Sequence, residues 1–138
     1  MLQYKLIHPE ILAALGAAGH GSLVLVADGN YPLSTATYPG ARRVFLNLTP
    51  GIINATEVLK ILLEAIPVEA ATVMRPIDGS EPAIFKDFRA LLPSKLNLEA
   101  MGRQEFYAAT AVPKLALAIL TGEQRLYANI LLTIGVRS

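Results

Sequence analysis

The chain has 138 residues and no cysteine, and its formal net charge is +1; that excludes disulfides and thiolate or zinc–thiolate chemistry and leaves one domain large enough to bury a core. Arg42-Arg43 is the only adjacent basic pair, so there is no electrostatic footprint for nucleic acid. The 53% hydrophobic share cannot feed a membrane span, which needs about 20 apolar residues in a row, because the nearest run, Ala108 to Leu120, is broken by Pro113 and Lys114; burial between subunits accounts for it instead.

Met1 to Lys5 lacks the charged start and apolar centre of a signal peptide, so a cytoplasmic protein is expected. His8-Pro9-Glu10 opens a helix, with His8 as cap, Pro in the first turn and an acid near the positive end of the dipole. Ile11, Leu12 and Leu15 form its apolar face, and Gly16 to Gly19 end it. Leu23 to Ala27 is a short apolar run of the kind covered on both faces of a sheet. Asp28-Gly29-Asn30 is turn chemistry that leaves Asp28 at the strand's tip, where ligands gather in open α/β sheets. Leu33 to Gly40 is expected to be a loop over that tip, and Val44 to Leu46 a short strand.

Asn54 and Glu57 are spaced as a helix start, with Val58, Leu59, Leu62, Leu63 and Ile66 as the buried stripe and Pro67 as the stop. Ala70 to Met74 reads as a buried strand. Ser80-Glu81-Pro82 opens a helix with Ile84, Phe85, Phe88, Leu91 and Leu92 inward. Leu96, Leu98 and Ala100 alternate with polar residues as in a half-exposed strand. Gly102 to Tyr107 starts a helix that cannot run past Pro113, and Leu115 to Leu120 and Ile130 to Ile134 are further strands. Alternating strands and helices predict a single three-layer α/β/α domain over residues 1–138 with a mostly buried, mixed sheet.

No dinucleotide fingerprint, P-loop or serine-hydrolase elbow is present, and two distant histidines without cysteine give no metal-ligand spacing. The expectation is therefore no cofactor and no metal. What remains is a His, an Asp, an Arg, a Tyr and an Asn, groups that bind hydroxyls and move protons. Taken singly, His20 also reads as a solvated or capping histidine, Asp28 and Asn129 as turn residues, and Tyr127 as a packing ring.

Two windows together say more. Gly19-His20-Gly21 before a strand ending in Asp28, and Thr121-Gly122-Glu123 followed by Tyr127-Ala128-Asn129, a strand and Gly135-Val136, resemble the ribose pyranase and fucose mutarotase family over essentially the whole chain. The resemblance implies an isomerase that opens and recloses the hemiacetal ring of a free monosaccharide. It implies His20 as the catalytic proton carrier, and Asp28, Arg103, Tyr127, Ala128 and Asn129 as substrate-binding residues, with Asp28 also biasing His20 toward its cation. It implies a ring-shaped, decamer-like homo-oligomer with the site at a subunit interface. Arg103, before Gln104-Glu105-Phe106, resembles the fucose branch, where ribose pyranases carry a His; Asn30-Tyr31-Pro32 departs from the aromatic or His-Phe pair of that branch. The expected activity is fucose-type mutarotation. Ribose pyranose–furanose interconversion, or a non-catalytic sugar-binding module linked to uptake, are the alternatives.

One length decides how such a site is assembled. Six residues from Ser22 to Ala27, at about 3.3 Å each, put the strand's ends roughly 20 Å apart. Either the flanking glycine turns fold His20 and Asp28 back over the strand, or His20 of one subunit meets the Asp28 region of another.

Overall fold

The apolar runs that alternate with the amphipathic segments all become strands of one sheet. The computed structural model describes residues 1–138. In chain order the elements are α1 (Pro9–Ala17), β1 (Leu23–Ala27), α2 (Leu33–Ala36), β2 (Arg42–Phe45), α3 (Ala55–Ala65), β3 (Val68–Met74), α4 (Ile84–Leu91), β4 (Leu98–Met101), α5 (Arg103–Ala109), β5 (Leu115–Leu120) and β6 (Ile130–Ile134). The sheet order is β2-β5-β1-β6-β3-β4. Its pairs are parallel except that β6 runs antiparallel between β1 and β3.

Strand alternation divides the core in two. Val24, Val26, Val73, Leu117, Ile119 and Leu132 meet α1, α3 and α4 on one face. Leu25, Ala27, Met74, Ala118, Leu120 and Leu131 meet Leu33 of α2 and Phe106 of α5 on the other. This is the three-layer α/β/α domain with a mostly buried mixed sheet that the element order predicts. No helix is long and apolar enough to cross a membrane.

The predicted caps are present. His8 Nδ1 accepts the Ile11 N–H at 3.3 Å, and Glu57 reaches back to the Asn54 N–H at 3.4 Å. Several boundaries differ from expectation: β3 begins at Val68 rather than Ala70, and α4 runs only from Ile84 to Leu91. Leu33 to Gly40 is not loop throughout, because α2 makes one helical turn there, fastened by the Thr37 hydroxyl on the Leu33 carbonyl. Strand β2 starts at Arg42 and stops at Phe45, because its ladder is set by its neighbour, Arg42 opposite Leu117 and Phe45 opposite Leu120. Leu96 lies outside β4, whose pairing with β3 begins at Leu98.

Since five strands run one way and β6 the other, the C-terminal ends of β1 to β5 share an edge with the N-terminal end of β6. Asp28, Arg75, Gly102, Thr121 and Asn129 all follow or precede strands at that edge. His20 precedes β1 and lies at the opposite one.

Candidate active site

The β5–β6 connection explains much of the site. In the sheet β1 lies between these two strands, so residues 121–129 must cross over the tip of β1, directly above Asp28. Thr121 begins the crossing by donating both its N–H (3.0 Å) and its hydroxyl (2.7 Å) to the Ala27 carbonyl. The Glu123 carbonyl then accepts the Gly29 N–H at 2.9 Å. Asn129 ends it: its Oδ1 accepts the Asp28 N–H at 2.8 Å, and its Nδ2 donates to the Asp28 carboxylate at 3.3 Å.

These contacts shape a cavity of about 220 Å³ lined by Asp28, Asn30, Tyr31, Arg103, Tyr107, Tyr127 and Asn129, with Met74 and Leu126. It is smaller than the roughly 300–1,000 Å³ of drug-sized ligand sites, so it suits one small ring. Burial raises the pKa of the Asp28 carboxyl above its usual 3.8, although backbone N–H groups of Asn30, Ala128 and Tyr31 and the Asn129 amide pull the other way. Tyr31 is buried, and its hydroxyl bonds Thr110 at 2.9 Å, so it offers the cavity a ring rather than a hydroxyl. Burial raises its pKa further above the phenolic range. Tyr107 stands edge-on to it, with ring centroids 5.5 Å apart. Tyr127 has φ 61°, a left-handed conformation uncommon for a residue with a side chain. Strain of that kind clusters at ligand sites.

Four predicted residues, Asp28, Arg103, Tyr127 and Asn129, thus share one cavity. Ala128 does not line it; it is fully buried, and its N–H serves the Asp28 carboxyl. His20 is not there either. Gly21, with φ 84°, makes the turn that carries His20 to the far edge, and its N–H bonds the Ile134 carbonyl at 2.9 Å. There His20 Nε2 lies 3.1 Å from both carboxylate oxygens of Glu69, at the start of β3. Within one chain, Asp28 therefore does not act on His20; Glu69 does. The flanking turns do not fold His20 and Asp28 back together.

Sequence reasoning missed Tyr31, Tyr107 and Glu69. Tyr107 had a signal, since it lies four residues after Arg103 and so on the same face of α5. Glu69 had none, because only the β3–β6–β1 register brings it across 49 residues to His20.

Comparison with known proteins identifies the group. Residues 1–137 match the RbsD / FucU transport protein family. The chain belongs to that family. A D-ribose pyranase of Variovorax paradoxus is 34% identical over 99% of this chain and 98% of its own. The fucose mutarotase of Mus musculus is 32% identical over 95% of this chain and 90% of its own. Among solved structures, Bacillus subtilis RbsD complexed with D-ribose superposes with a TM-score of 0.86 at 25% identity. The Streptococcus pneumoniae fucose mutarotase in complex with L-fucose gives 0.82 at 27%. Both structural matches cover 100% of both chains. The fold and membership in the RbsD / FucU family expected from the two sequence windows are thereby established, and the family contains pyranases and mutarotases of ribose and fucose.

Proposed function

We propose that this protein is a monosaccharide mutarotase that opens and recloses the hemiacetal ring of a free sugar by acid–base catalysis, with fucose-type anomer interconversion as its main activity. The observation that carries the sugar preference is Arg103, which lines the same small cavity as Asp28, Tyr127 and Asn129. A guanidinium offers a fixed fork of donors and no acceptor, so it grips ring hydroxyls and leaves proton transfer to other groups. Asp28 and Asn129 accept and donate to the remaining hydroxyls, and the tyrosine rings cover the C–H face.

In the reaction a base takes the proton of the anomeric hydroxyl and an acid gives one to the ring oxygen. The C–O bond breaks, the carbonyl carbon turns, and reversal of the same transfers recloses the ring. His20 is the proton carrier in this reading. With Nε2–H donated to Glu69, Nδ1 keeps a lone pair for the substrate. At 59% and 47% exposure the His20 and Glu69 side chains form a screened pair that fixes the ring's tautomer and adds little stability.

Because His20 and the cavity occupy opposite edges of the sheet, the complete site joins two copies head to tail in a homo-oligomer. Arg103, Leu126 and Tyr127 also line a larger cleft beside the cavity, which carries Arg75 and the fully exposed Ile77. That cleft is where a neighbour's His20 edge enters. The second reading, ribose pyranase, is favoured by the 34% identity to the Variovorax enzyme.

Saturation-transfer NMR on fucose, ribose, galactose and glucose tests the proposal. Fucose anomer exchange should exceed the buffer rate most, and His20→Ala should lower it by about 10²–10⁴-fold, the usual worth of a general acid–base group, while sugar affinity stays within about tenfold. Acceleration of ribose ring-size exchange above all others selects the pyranase. Binding without acceleration of any sugar leaves a non-catalytic module.

A further inference from the structure

The crossing segment 121–129 is pinned at its ends, and its middle is held by something other than backbone pairing. The Glu123 side chain is only 3% exposed. Its carboxylate accepts from the Arg125 N–H at 3.1 Å, Nε at 3.0 Å and Nη2 at 2.7 Å. Arg125 also reaches outward, to Asp87 of α4 at 2.8 Å and to Thr56 of α3 at 3.5 Å. One carboxylate therefore ties the loop to itself, and one guanidinium ties the loop to two helices.

From this geometry we infer that the Glu123–Arg125 pair is a positioning device for the sugar site, holding residues 124–128 so that Tyr127 and Asn129 face Asp28. The inference rests on the sugar-site reading above. Neither side chain lines the cavity, so the pair acts through others. Arg125 stands two residues before Tyr127, whose left-handed backbone persists only if its surroundings hold it. Glu123 stands beside the Asp28 turn through its carbonyl bond to Gly29. The pair thus links the Asp28 turn to the segment that carries Tyr127. Stability alone is a poor reason for it, since the cost of desolvating the buried Glu123 offsets much of its attraction to the half-exposed Arg125. Fixing one geometry is what a forked, bidentate contact adds. The Arg125 backbone and side chain close on the same carboxylate, so the turn and the ion pair form together.

The test uses the full-length protein and three variants, Arg125→Met, Arg125→Lys and Glu123→Gln. Amide hydrogen exchange without sugar reads the loop directly. Arg125→Met should speed exchange at Leu126 to Asn129 by about tenfold or more while β1 amides stay within about threefold, magnitudes typical of a broken local coupling. Sugar KM should rise by a similar factor with kcat little changed, the mark of lost uniform binding, and Arg125→Lys should recover part of both. A fall in melting temperature with loop exchange and KM unchanged overturns the inference and leaves the pair a fold contact only. If Arg125→Met or Glu123→Gln does not fold, Asp87→Asn, which removes only the exposed outer tether, decides by the same two readouts. Should the wild type act on no sugar, the functional reading fails, and the exchange measurement still decides whether the pair positions the loop.

Discussion

Asp28 carries a cost that a purely structural turn would not. A carboxyl raised above its free value is less stable charged in the folded chain than in the unfolded one. The folded state then binds more protons between the two values, so stability falls as pH rises from about 3.8 through the raised value and is level above it. Glu123 has the opposite sign. Its burial is outweighed by hydrogen bonds and charge from Arg125, its pKa is lowered, and the stability it adds is lost as pH falls through the folded value. To isolate Asp28, melting temperatures of wild type and Asp28→Asn should be compared across pH. The variant should gain on the wild type as pH rises from about 4 and then hold a constant difference. A difference that ignores pH would mean that Asp28 is not held in a desolvated state. Asp28, Arg103, Tyr127 and Asn129 of the cavity were legible through the motifs they sit in; Glu69 and Tyr31 were not, since an acid at a strand's start and an aromatic before Pro32 carry no such mark.

Among the elements, the β5–β6 crossing is the least forgiving. Gly122 packs so closely that an added Cβ would meet the Ile52 carbonyl oxygen and come within 2.6 Å of the Thr49 carbonyl oxygen. Both are backbone atoms, which cannot swing away. Gly122→Ala should therefore cost about 1–3 kcal/mol, the range for overpacking, whereas Gly19→Ala, with nothing within 4 Å of its Cβ, should melt close to wild type. Thermal melts of the two side by side check this; equal losses would contradict the close packing at Gly122. The helices and strands themselves were readable, since runs such as Leu115 to Leu120 and the stripe on α3 follow simple periods. The exceptions were short or ladder-driven. One turn of α2 is too brief to show a period, and β2 takes its bounds from β5.

On the scale of the whole molecule, the sheet separates His20 from the cavity around Asp28, and the proposed head-to-tail assembly would bring the two together. Mixing His20→Ala with Asp28→Asn subunits, each inactive alone, should restore part of the activity. A random equal mixture yields an intact pair at about a quarter of head-to-tail interfaces. Mixed oligomers that form, as shown by differential tagging, and stay inactive would place each site within one chain. The exposed Ile77 and Leu126 in the cleft beside the cavity and the apolar share of 53% fit a surface covered by a second copy.

The sequence by itself determined the element types, the layered α/β class, the family and the chemical kinds of the site residues. Each of these depends on local period, capping, turn chemistry or short motifs, and each such signal is written within a short stretch of chain. Only the tertiary structure decided that Glu69 faces His20, that Tyr31 and Tyr107 join the cavity, and that Glu123 and Arg125 brace the loop above Asp28. Those contacts follow from strand order and register, in particular from β1 lying between β5 and β6. Such pairings depend on which faces of distant segments bury one another, a property of the packed chain that no local stretch encodes.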